Sequence, residues 1–255
     1  MDPERPWLRL GITGSLLSAA GILFSGPVAV ALVQWLHPQP DWTTPAAWAA
    51  HYHWFQSVPY VAGIPLVAGY LLQAVALHGL APEAERPKTL IALLLTGAFI
   101  TLIVFNYLIQ TTFMPALAHG YRPELDAAIF TFSFSNPVSL CWAIEMWGWG
   151  LLGVATALWE SVLKRTALEH ATGDLFLANG VVSVIGVIAT VAAPGWVFST
   201  AGLAGYAGWN VLVFAAAILL TFALRRRASS TPLRPLWRAH DEADSRNHPA
   251  GVGRV

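Results

Sequence analysis

Charge and cysteine are what this sequence of 255 residues has least of. Only 11% of its residues are charged, whereas a soluble domain carries about a quarter, so an ordinary water-facing surface is excluded. Its 14 Lys and Arg balance its 14 Asp and Glu, which removes any global attraction to nucleic acid or to acidic partners. Cys141 is the single cysteine. One thiol rules out an intrachain disulfide framework and a cysteine-based zinc site, and within an apolar run it reads as a small core residue. Gly-rich phosphate loops, His-Glu-x-x-His, Gly-x-Ser-x-Gly and paired Asp-rich motifs are also missing. The usual signatures of membrane metalloproteases, serine hydrolases and Mg-dependent prenyltransferases are therefore absent. No span carries the paired histidines of a bis-His haem, and neither a cofactor nor a metal is implied.

What is abundant is apolar: 56% of residues are hydrophobic and 12 are Trp. The apolar runs predict an all-α integral membrane protein, a bundle of six transmembrane helices over residues 10–36, 58–80, 89–117, 137–159, 175–197 and 202–224. Arg5 and Arg9 before the first run, with Ala29-Val30-Ala31 inside it, match a signal peptide. The run is nevertheless long enough to cross a ~30 Å hydrocarbon core, and is read as an uncleaved span. Arg5 and Arg9, Arg86 and Lys88, Lys164 and Arg165, and Arg225 to Arg227 fall on one side of that arrangement, against Arg122 alone on the other. By the positive-inside rule both termini are cytoplasmic; the expected location is a cell membrane, of the bacterial inner-membrane type. Residues 228–255 are polar and aperiodic and read as a disordered tail.

The long connections lie on the other side. In residues 37–57, Thr44-Pro45 predicts a capped short helix, and its tryptophans place it along the membrane surface. The alternation Phe130-Thr131-Phe132-Ser133-Phe134-Ser135 predicts a short extended segment. Asn136-Pro137 reads as the N-cap and first turn of the fourth span. Glu160 and Lys164 form an i,i+4 pair at its far end, and Asp174 precedes the fifth span.

Glu145 stands out because a carboxylate inside a span costs roughly 2.5–3.5 kcal/mol on insertion scales. It lies eight residues from Pro137, or ~12 Å along a helix. Gln110 and Asn210 lie at a similar depth on the third and sixth spans, with Asn106 one turn deeper. With Trp142 and Trp149 beside Glu145, these residues predict a cavity in the outer half of the bilayer, floored by amides and Glu145, walled by aromatics and lidded by the long connections. The competing reading makes Asn106, Asn179 and Asn210 hydrogen-bonding glue between helices. Glu145 would then be a protonated structural carboxyl bonded to Gln110 or Asn210. His51 and His53 diverge on a helix and lack a third ligand at a recognisable spacing.

The stretch from Leu175 to Arg227, with Leu-Phe-Leu-Ala-Asn-Gly-Val-Val-Ser-Val-Ile-Gly and the later Gly-Trp-Asn, resembles the end of uncharacterised bacterial six-span membrane proteins of the DUF4386-like type. That resemblance implies a six-helix membrane protein and assigns no activity or site residues. Six spans with cytoplasmic termini also resemble, in topology alone, the substrate-binding components of vitamin transporters. Three functions stay open. One is binding or transport of a small amphipathic or aromatic molecule, with Asn106, Gln110, Trp142, Trp149 and Asn210 as ligand contacts. Another is a cofactor-free enzyme on a lipid or isoprenoid with Glu145 as the catalytic general acid. The third is a structural subunit of a membrane complex. Membrane lipids are the expected partners, and Gly14, Ser18 and the Gly148 to Gly153 region are small enough for helix contacts within or between chains, so an oligomer is open.

Overall fold

In the computed structural model, which describes residues 3–230, every regular element is a helix. Six helices are long and apolar enough to cross a membrane. They are α1 (Arg5–Leu36), α3 (Val58–Leu80), α4 (Glu83–His119), α6 (Leu140–Trp159), α7 (Ala167–Ala192) and α8 (Thr200–Ser230). Two short helices, α2 (Pro45–Ala50) and α5 (Asp126–Phe132), lie in the long connections at the end of the bundle opposite the described termini. Each long helix packs on its neighbours in sequence, and α8 packs back on α1, so the six close a ring. Large side chains fill its interior, among them Tyr70, Phe99, Trp159 and Phe176, all buried. Its outer surface is apolar instead of charged: Leu94 is 67% exposed, Ile188 62% and Val191 66%. That inversion of the soluble pattern is what a hydrocarbon solvent permits.

Close approach of α1 and α3 depends on missing side chains. A Cβ on Gly14 would lie 2.7 Å from the carbonyl oxygen of Gly69, and one on Gly69 would lie 2.6 Å from the carbonyl oxygen of Gly14. Into that contact Gln73 donates from Nε2 to Ser18 Oγ at 2.7 Å, and Ser18 Oγ in turn faces the Leu66 carbonyl. The Gly14–Ser18 face is therefore used within the chain.

Several element boundaries differ from those expected. The fourth span begins at Leu140, because Ser139 accepts the Trp142 N–H and supplies the cap. Asn136 is instead buried in the preceding turn, its amide shared between the Phe130 carbonyl and the Val138 N–H. Phe130 to Phe132 are helical, so the alternating stretch is not extended; its helical neighbours Ala127 to Ile129 complete a turn that buries Ile129. The fifth span starts at Ala167 and ends at Ala192, since Thr166 accepts the Glu169 N–H while Glu169 reaches back to the Arg165 N–H. That Thr-x-x-Glu cap lies upstream of Asp174, where the apolar run begins. The last helix runs to Ser230, so residues 228–230 are helical; the remainder of the expected tail, 231–255, lies outside the described residues.

At the end bearing the termini, Glu4 bridges Arg165 at 3.0 Å and Arg227 at 2.9 Å, and Arg227 also faces the buried Glu169 at 3.9 Å. This knot ties the start of α1, the α6–α7 connection, α7 and the end of α8 together. Burial pushes the Glu4 carboxyl up, but its hydrogen bonds and charge attraction to Arg165 and Arg227 outweigh that and hold it below its ordinary value. A depressed folded-state value means stabilisation fully present above the ordinary carboxylate value and lost as pH falls below it through the depressed one. Melting of Glu4→Gln should therefore sit below wild type at pH 7, with the gap closing only as pH is lowered below the ordinary carboxylate range. Separately, Gly69→Val forces its Cβ into backbone and should destabilise by about 2 kcal/mol or more, read as a lower denaturation midpoint.

Candidate functional site

The polar side chains expected to converge form two separate groups. In the first, Glu145 sits on α6 with 8% of its surface exposed. Trp149, one turn on, donates from Nε1 to Oε1 at 2.7 Å, and Asn106 of α4 donates from Nδ2 to Oε2 at 2.8 Å. The same Asn106 nitrogen reaches the Cys141 carbonyl at 3.2 Å. Neither Gln110 nor Asn210 bonds to Glu145; the partner is the deeper Asn106. Trp149 is held in turn by Phe99 and Trp209, each with ring centroids at 4.8 Å.

Gln110 is turned away because the chain before α6 folds inward. Ser133, Asn136 and Ser139 are all buried, in non-helical backbone. Buried peptide groups need partners, and Gln110 supplies two of them: Nε2 donates to the Phe132 carbonyl at 2.8 Å and Oε1 accepts from the Phe134 N–H at 3.3 Å. Its own carbonyl accepts from Ser57 Oγ at 3.1 Å, so one residue fastens both long connections. It sits in a π-helical turn, Ile109–Phe113, which shifts the face of α4 at this point. Trp142 joins the same assembly through its indole N–H, which bonds the Phe134 carbonyl, and its ring lies tilted by 30° against that of Phe134 with centroids 4.1 Å apart.

Asn210 lies elsewhere, with Nδ2 on the Tyr206 carbonyl at 2.8 Å and Oδ1 facing Gly26 of α1. Asn179 accepts from Trp209 Nε1 and donates to Thr156, each at 2.9 Å, which is glue between α6, α7 and α8. The histidines diverge: His51 bonds the Ala47 carbonyl, whereas His53 stacks on His37 with centroids 3.5 Å apart. Among the described residues no cluster of three His, Cys, Asp or Glu is placed to hold a metal.

The second group is a pocket of about 190 Å³ between the ends of α1, α3 and α4 and both long connections. Gln34, Gln39, Gln56 and Gln110 line it with Trp48, Tyr52 and Tyr60, over apolar walls from Val30, Val33 and Met114. No charged side chain contributes. Gln110 enters it with both amide ends already engaged, while Gln39 Oε1 accepts from Ser135 Oγ and its buried Nε2 is left without a protein partner. Gln34, Gln39 and Gln56 carried no signal in the sequence, because they lie in or beside connections whose fold is set by distant contacts. No protein-family model, curated protein or solved structure matches the chain.

The triad of Glu145, Asn106 and Trp149 links two helices, so Asn106→Leu should cost about 1–2 kcal/mol. Glu145→Gln, which keeps an acceptor for Trp149, should cost less than Glu145→Leu. Denaturation midpoints of the three variants in one detergent check this order.

Proposed function

We propose that the protein is a multi-pass membrane protein with both termini cytoplasmic, which binds a small uncharged amphipathic molecule on the opposite side and carries it or presents it. The observation that carries this reading is the uncharged, amide-rich pocket beneath the long connections. Its Gln39 Nε2 is a buried donor without a protein acceptor, and such a group costs free energy unless something accepts from it. Aromatic faces at Trp48, Tyr52 and Tyr60 complement a flat or apolar portion of the ligand. At about 190 Å³ the space is below the 300–1,000 Å³ usual for drug-sized ligands. It suits a small polar head with an apolar extension beside Val30, which is 45% exposed on the apolar outer surface. The basic residues gathered at the opposite end support the orientation.

Native mass spectrometry of the gently solubilised protein should show a small-molecule adduct. Gln39→Leu, which removes one donor at the pocket, should weaken retention by about tenfold. A wild type that is folded and empty, or an adduct equally retained by Gln39→Leu and Tyr60→Ala, would contradict the reading.

A further inference from the structure

Positive charge at the end bearing the termini is only partly neutralised. Glu4 holds Arg165 and Arg227, Glu160 holds Lys164 and Glu85 holds Lys88. Arg5 and Arg9 at the start of α1, and Arg225 near the end of α8, are exposed, and none of the three pairs with a carboxylate among the described residues. The Glu4 carboxylate beside Arg5 in sequence is already shared between two other arginines.

Helix contacts fix where these three stand. A Cβ on Gly11 of α1 would lie 2.6 Å from Leu224 Cδ1, and one on Gly26 would lie 2.6 Å from Asn210 Oδ1. Asn210 and Leu224 therefore mark the face of α8 turned to α1, and Gly11 and Gly26 the face of α1 turned to α8. One flank of each face is taken: Gly14 and Ser18 meet α3, and Trp209 meets Asn179 of α7. At about 100° per residue, Arg5, Ile12 and Leu16 fall on the remaining flank of α1. By the same spacing Arg225, Ile218 and Phe214 fall on the remaining flank of α8. The two flanks are the outer lips of the seam where the first and last helices close the ring. Their exposure agrees, since Leu16 and Phe214 are both exposed. Guanidinium groups thus head a seam whose lips are apolar further in.

We propose that the outer edge of the α1–α8 seam binds one anionic glycerophospholipid. Its phosphodiester sits between Arg5 and Arg225 with Arg9 one turn away, and an acyl chain lies along Ile12, Leu16, Ile218 and Phe214. Guanidinium forks match phosphate oxygens in geometry as well as charge. A zwitterionic lipid carries its own ammonium, which offsets the attraction, and a free phosphate has nothing to lay along the apolar lips. The site depends neither on what the outer pocket binds nor on which side of the membrane the termini face.

The test is native mass spectrometry of the delipidated full-length protein, titrated with phosphatidylglycerol and, separately, with phosphatidylcholine. Wild type should retain one phosphatidylglycerol per chain in preference to phosphatidylcholine, and inorganic phosphate should not displace it. Arg5→Gln and Arg225→Gln should each raise the half-saturating concentration about fivefold, as removal of one arginine near a lipid headgroup implies. Arg86→Gln, an exposed arginine at the same end but on α4, should leave it unchanged. The proposal is overturned by equal retention of the two lipids, by displacement with inorganic phosphate, or by an equal loss in Arg86→Gln. Should the seam variants fail to fold, the wild-type preference between the two lipids still decides.

Discussion

A carboxyl group held inside an apolar ring by two neutral donors is the constraint on which the middle of this structure depends. Glu145 ties α6 to α4 through Asn106, and to its own next turn through Trp149. Trp149 then contacts Phe99, Tyr70 and Trp209, which come from α4, α3 and α8. One polar group thereby orients the aromatic filling of the ring. Apolar packing alone would leave helix rotation weakly specified, since lipid tails solvate an outward-turned Leu as well as a neighbouring helix does. Directional hydrogen bonds remove that freedom.

Asn106 and Gln110 are one helical turn apart on α4 and serve different masters. Asn106 holds the carboxyl; Gln110 holds the inward-folded chain at Phe132 and Phe134, and its backbone holds Ser57. A rotation or shift of α4 therefore moves the carboxyl's partner and the fastening of both long connections together. The outer pocket lies under those connections and includes Gln110 in its lining. One helix thus contributes to both the centre of the ring and the lining of the pocket.

Helix number and class were legible because long apolar runs have few alternatives in a chain so poor in charge. Local caps were legible where side chain and backbone lie close in sequence: Thr44 accepts the Ala47 N–H, as its place before Pro45 implies. Glu160 meets Lys164 at 3.4 Å for the same reason. Depth counting failed at Glu145 because it assumed that α6 begins at Pro137. It also took the polar residues at equal depth to face one another. The inward-folded turns that bury Ser133, Asn136 and Ser139, and the π-helical turn at Ile109–Phe113, removed Gln110 from that plane. Neither feature has a local sequence signature. The Glu4–Arg165–Arg227 knot was hidden differently, because its members are far apart in sequence and read singly as topology markers.

The most direct test of the central constraint is the indole N–H region of an ¹H–¹⁵N spectrum, wild type beside Glu145→Leu. Of the twelve tryptophans, Trp149, assigned through Trp149→Phe, should show a resonance displaced downfield by its bond to a carboxyl oxygen. That resonance should move upfield in Glu145→Leu while those of exposed indoles such as Trp35 and Trp54 stay in place. A Trp149 resonance at an ordinary position in wild type, unaffected by Glu145→Leu, would show that the carboxyl does not organise the ring.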